Sequence, residues 1–153
     1  YDKFQGFKKF QIVMIVAEGT EDKTERLSKE LSKFEPLEYW HFVTLNNSDT
    51  KKMFNSLRTS QILDHNQSID NVFVIDKDLN QRGRFDDRTK REIKMEEKPY
   101  ILTSYNATMV SELKNKLAAE DLRVLFTEYR QKRKGEFNST VRRAEDLKGE
   151  QNE

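Results

Sequence analysis

The run Ile12–Ala17, six apolar residues without a polar interruption, constrains the fold more than any other stretch. A strand that alternates can leave one face in water, whereas an uninterrupted one reads as buried on both faces, as in parallel sheets. The run stops at Glu18-Gly19. Parallel neighbours need a crossover connection, and "TEDKTERLSKELSKF" supplies one as a predicted helix. Thr20 is its expected N-cap, Glu21 and Asp22 suit its positive N-terminus, and Leu27, Leu31 and Phe34 form its expected buried stripe before Pro36 ends it.

"YWHFVTL" (39–45) is a second predicted strand. A short helix follows in "NNSDTKKMFNSLRTS", capped by Ser48 or Asn47, with Met53, Phe54 and Leu57 as its apolar face. "NVFVID" (71–76) is a third strand and "QRGRF" its hairpin partner. The charged run from Asp86 to Lys98 has no periodicity and reads as a mobile surface loop. From about Thr108 a long helix is predicted on Val110, Leu113, Leu117, Leu122, Leu125 and Tyr129, with a slip near Ala118-Ala119. Beyond Lys134 the chain turns polar, the pattern of a frayed or partner-ordered tail. The β-α-β-α-β order predicts an α/β layer with parallel neighbours and an antiparallel hairpin at its edge.

Length fits one domain, and charged residues (36%) match apolar ones (35%), so the core has to come from a few short runs. No apolar stretch is long enough to span a bilayer. No signal peptide is recognisable, although a trimmed chain would have lost one. With 28 basic against 27 acidic residues, net charge gives no global reason to expect nucleic acid or membrane as partner. Cysteine is absent, which excludes thiol nucleophiles, disulfides and thiolate metal sites within the chain. The two histidines, His41 and His65, stand at no metal-site spacing. His41, on a strand between Trp40 and Phe42, reads as a packing or edge residue, and Trp40 as core.

The chemistry turns on Asp76-Lys77-Asp78 at the end of the third strand. Ligand-handling side chains of a parallel sheet gather at strand carboxyl ends, where Glu18, Asp76 and Asp78 would form a Mg²⁺ site. "AEGTED" followed by "IDKD" resembles the Toprim domain of primases, topoisomerases and related nucleases. An EF-hand match to Asp76, Asp78 and Asn80 fails, because Gln81 replaces the turn glycine and Asp87 the bidentate glutamate. The simpler account is a reverse turn, since Asp and Asn bond their own backbone and tolerate left-handed geometry.

The order "TEDKTERLSKELSKF", "WHFVTL", "LDHN", "VFVIDKDLNQRGRFDD" resembles the Sco family of thioredoxin-like copper proteins, over about Phe10 to Phe85. That family has a strand running into an acidic helix start, a Trp-x-Phe strand, an Asp-His segment and a hairpin of the form Ile-Asp-Pro-Asp-Gly-x-x-x-Gly. The resemblance implies a thioredoxin-like three-layer sandwich with a mixed sheet and a closing C-terminal helix over 1–134, and a polar tail over 135–153. It also implies a copper ligand at His65, where the family joins two cysteines of a Cys-x-x-x-Cys motif to one later histidine. Those cysteines are missing here, so no cofactor is expected, and a copper role requires cysteines outside this chain. The implied function is that of a non-catalytic accessory or assembly factor in the bacterial periplasm. It would be membrane-associated and bind a protein partner such as a respiratory complex rather than nucleic acid. The basic cluster Arg130, Lys132, Arg133 and Lys134 complements the helix C-terminus and reads as a solvated face, because Glu128 and Glu136 flank it.

Overall fold

β1 (Ile12–Ala17) and β2 (Trp40–Leu45) pair in parallel, in register from Ile12 opposite Trp40 to Ala17 opposite Leu45. The crossover between them is α1 (Glu21–Ser32), entered through Gly19, whose φ of +81° is a turn that glycine makes without strain. A computed structural model describes residues 10–135. The chain divides into two units: one runs to Leu57 and includes Leu63–Ser68, the other takes Arg58–Ile62 and the chain from Ile69 onward.

The first unit follows the predicted β-α-β-α order but covers its apolar run less completely. Val13 is 56% exposed, and no β1 residue is fully buried. α1 is rotated from the expected stripe. Thr24, Ser28 and Leu31 are half-buried, while Leu27 and Phe34 face water. Thr20 does not cap α1 with its side chain; its hydroxyl donates instead to the Ala17 carbonyl at 2.6 Å. α2 (Asn47–Asn55) begins earlier than a cap at Asn47 or Ser48 would allow, by one or two residues, because Asn46 is the cap and its Oδ1 accepts the Asp49 N–H at 2.9 Å. Met53, Phe54 and Leu57 are half-buried, as their spacing predicts. On β2, Trp40 and Phe42 stack at 6.5 Å while His41, on the opposite face, is exposed.

In the second unit the predicted third strand breaks at Phe73 into β3 (Asn71–Val72) and β4 (Val74–Ile75). β4 turns back antiparallel onto β5 (Gln81–Arg82), the predicted hairpin, and β3 pairs antiparallel with β6 (Tyr105–Asn106). An Arg84–Leu102 bridge continues the hairpin strand. Asp86–Lys98 is not simply a loop. It holds α3 (Lys90–Lys94), started by a capping box in which Thr89 accepts from Glu92 N–H and Glu92 accepts from Thr89 N–H. The long helix is π-wound over Glu112–Asp121 and becomes α4 (Leu122–Lys134). Val110, predicted on its apolar face, is 74% exposed; among the described residues the buried apolar ones are Tyr105, Leu122 and Leu125. Among the described residues the strands form three two-stranded ladders, a mixed α/β arrangement. The predicted tail lies outside the described residues but for Gly135.

Two positions fix the hairpin. Leu79 sits at φ +62° with its side chain 85% exposed, so the turn holds a branched residue in the left-handed region with no burial in return. At Gly83 an added Cβ would stand 2.2 Å from the Leu102 carbonyl oxygen. Gly83→Ala should therefore lower the unfolding free energy by about 1–3 kcal/mol, read as a lower urea midpoint. Leu79→Gly relieves about 1–2 kcal/mol of strain against roughly 0.5–1 kcal/mol of added chain entropy, and should leave the midpoint unchanged or slightly raised. A tolerated alanine at 83 would mean that the Leu102 carbonyl does not press on the hairpin.

Candidate functional site

Asp76, the strand-end carboxylate, points inward; Asp78, two residues on, is exposed. The Asp76 Oδ1 accepts the backbone N–H groups of Asp78 and Asn80, each at 2.9 Å, and the Asn80 amide lies 3.3 Å away. The Asp78 carboxylate pairs with the neighbouring Lys77 ammonium at 3.1 Å. The turn closes through Asp76 N–H to Asn80 O (2.9 Å) and Leu79 N–H to Asp76 O (3.0 Å). It is anchored by the Lys77 N–H, which donates to the Tyr129 hydroxyl at 3.0 Å.

Arg82 and Arg84 alternate with Gly83 and so project from the same face of the hairpin strand. Arg82 donates to Glu128 Oε2 at 2.7 Å and, more weakly, to Asp76 Oδ2 at 3.5 Å. The Lys132 ammonium meets the other Glu128 oxygen at 2.7 Å. Arg84 uses its whole fork. Nε donates to Asp121 Oδ1 at 2.9 Å, Nη2 to Asp121 Oδ2 and Glu120 Oε2 at 2.8 Å each, and Nη1 to Asp87 Oδ1 at 2.7 Å. Lys116 pairs with the other Asp87 oxygen, and the Tyr105 hydroxyl donates to Asp121 Oδ2 at 2.7 Å. The side chains of Asp76, Asp87 and Glu128 are 5%, 1% and 5% exposed, so each carboxylate depends on these donors for what water would otherwise supply. Gln81 adds a neutral tie, its amide N–H groups donating to the carbonyls of Arg58 (2.8 Å) and Thr103 (2.9 Å).

The π winding aligns the acidic side of this network. Glu112 and Asp121, nine residues apart, would lie about 180° apart on an α-helix at 3.6 residues per turn. At roughly 4.4 residues per turn, which i→i+5 bonding gives, they fall about 20° apart. Lys116 and Glu120 then share their face. Glu112 accordingly accepts the Asn106 N–H at 3.3 Å, while Asp121 reaches Arg84. The Leu122 N–H bonds the Leu117 carbonyl five residues back, which is the slip visible as the five-residue gap between those leucines.

Charge states follow from this packing. Burial alone would lower the Arg84 pKa, but the hydrogen bond and charge of Asp121, with Asp87 and Glu120, raise it. Burial likewise opposes the Lys116 ammonium, and Asp87 outweighs it, raising that pKa too. Lys116 is thus held in its protonated form at neutral pH. Burial first, then the Asp121 charge, pushes the Tyr105 phenol well above the ordinary tyrosine range.

Comparison of the chain with family models, curated proteins and solved structures finds no match.

His65 is exposed at the tip of a tight loop in the first unit, where Asp64 Oδ1 accepts the N–H groups of Asn66 (2.8 Å) and Ser68 (2.7 Å). Glu18, also exposed and in the first unit, donates its N–H to the Leu45 carbonyl at 3.1 Å. Among the described residues no three His, Cys, Asp or Glu side chains are grouped to hold a metal. The residues present do not fit copper: the chain has no cysteine, and His65 stands in water without a second ligand of that kind. Asp76 does not fit Mg²⁺ in this arrangement, because its oxygens are already engaged by the turn and Arg82. Arg82, Arg84, Asp87, Asp121 and Glu128 were not apparent as a site from the sequence. Their only signal is the Arg-Gly-Arg alternation opposite acids spaced along the last helix.

Arg84→Ala should cost about 3–5 kcal/mol in urea unfolding, since it strands Asp87 and Asp121 away from water. Arg84→Lys should restore little of that, because a point charge cannot span three carboxylates as the fork does. A loss below about 1 kcal/mol for Arg84→Ala, the scale of a surface pair, would count against a buried network. The Tyr105 phenol gives a pH signature. Its folded pKa is raised, so the unfolded chain releases that proton first. The Tyr105 contribution is intact below about pH 10 and is lost as pH rises above it. Urea midpoints followed from neutral to strongly alkaline pH should fall more steeply for the wild type than for Tyr105→Phe; equal slopes would place the phenol in water.

Proposed function

We propose that this chain is a non-catalytic, Sco-like module of thioredoxin-like fold, an accessory or assembly factor that binds a protein partner such as a membrane respiratory complex from the periplasmic side. The observation that carries the proposal is the hairpin. Leu79 stands where the family pattern Ile-Asp-Pro-Asp-Gly-x-x-x-Gly has its first glycine, and it adopts the positive φ that favours glycine. Gly83 stands at the second, and the Leu102 carbonyl leaves no room there for a side chain. Lys77 replaces the proline, and its N–H, which proline lacks, is spent on Tyr129. The parallel β1–β2 pair with its α1 crossover gives further support. The inward Asp76 favours a structural over a metal-binding role for the strand-end acids, and so weighs against a Toprim-type enzyme built on Glu18, Asp76 and Asp78. Among the described residues no helix is long and apolar enough to cross a membrane, so association with one would run through a partner, a surface or chain outside these residues.

Complementation tests the proposal. A host lacking the protein should assemble less respiratory oxidase, and both the wild type and His65→Ala should restore it. Failure of His65→Ala alone, with copper held by the wild type against a chromophoric Cu(I) chelator, would replace the non-catalytic role with a metal-handling one. Mg²⁺-dependent nicking of plasmid DNA that disappears in Asp76→Ala would establish the Toprim reading instead.

A further inference from the structure

α4 separates its charges by face. Its only acid, Glu128, is turned inward to Arg82 and Lys132, beside the buried Leu122 and Leu125 and the half-buried Tyr129. On the opposite side Arg123, Thr127, Arg130 and Lys134 follow at intervals of four, three and four residues, which places them along one line of the helix. All four are exposed, as is Arg133 on the flank. Arg123, Arg130, Arg133 and Lys134 carry no ion pair among the described residues, whereas the exposed face of α1 offsets its lysines with Glu25 and Glu30. The cluster Arg130, Lys132, Arg133 and Lys134 is exposed, as the sequence expects of a solvated face; of its expected flanking acids, Glu128 pairs with Lys132 while also serving Arg82 in the interior, and Glu136 lies outside the described residues.

We infer that the outward face of α4 is a docking surface for an anionic phospholipid bilayer. Arg123 and Lys134 stand about 16 Å apart along the helix, and a straight row on a convex cylinder meets a plane with all its members at once. The row offers no apolar or aromatic side chain, which the centre of a protein interface needs. Attraction to anionic headgroups needs none and adds up per cation. Because net charge is only +1, the attraction is local and orients the molecule with α4 toward the surface. The inference stands on α4 alone and does not depend on the Sco-like proposal.

Cosedimentation with vesicles tests it. The full chain should bind phosphatidylcholine vesicles carrying phosphatidylserine, not phosphatidylcholine alone, and should be released by high salt. Each cation removed should weaken binding roughly fivefold, so the triple variant Arg123→Gln, Arg130→Gln, Lys134→Gln should lose about 100-fold. As a control, Lys90→Gln, Arg91→Gln, Lys94→Gln removes three exposed cations from α3, and should change binding much less. The inference fails if the wild type ignores the anionic vesicles, or if the control loses as much as the α4 triple. It fails equally if soluble polyglutamate binds through the α4 row while vesicles do not, which would assign the face to an acidic protein.

Discussion

Arg82, which ends the two-residue strand β5, and Arg84, beyond it across Gly83, join the hairpin to the last helix. Gly83 brings the hairpin backbone against the Leu102 carbonyl, closer than any side chain would permit, and the two guanidinium groups then reach carboxylates from Asp76 to Glu128. A unit whose buried apolar residues, among those described, are Tyr105, Leu122 and Leu125 leans on such polar ties more than one with a large core. The ties are demanding: a buried pair contributes little net stability while intact, yet removing one partner is expensive because it leaves a charge without water or counterion.

The π winding of Glu112–Asp121 belongs to the same constraint. α-helical winding would send Asp121 to the side opposite Glu112, so either Arg84 or the Asn106 N–H would go unserved. π-helices are rare and usually a single turn long. Ten residues of one here are sustained by partners at both ends and in the middle, through Glu112, Lys116 and Asp121.

What the sequence made legible was local. An uninterrupted apolar run, and two Asp and an Asn at a strand end, each point to a feature that formed, the parallel strand and the turn; the slip near Ala118-Ala119 marks the irregularity in the long helix, but not that its winding is π. What it concealed depends on residues distant in the chain. α1 presents Thr24 and Ser28 inward while Leu27 and Phe34 face water, so hydrophobic spacing alone does not mark the buried face. Helix starts slipped where several cap residues compete, as at Asn46, Asn47 and Ser48. α3 hid inside a charged run because its signal is only Thr89 and Glu92. The network itself gave almost no signal, for no local rule says which of 28 basic and 27 acidic residues will meet across dozens of positions.

The outward face of α4 follows from the inward one. Arg82 has no stronger acidic partner than Glu128, at 2.7 Å against 3.5 Å for Asp76, so the hairpin draws the only carboxylate of α4 to the interior. Lys132 follows it as the i,i+4 partner. What remains on the opposite side is a row of cations with nothing on its own helix to neutralise it. The interior charge clamp and the cationic surface are thus two consequences of placing a single glutamate, and moving the acid to an outward position would weaken both.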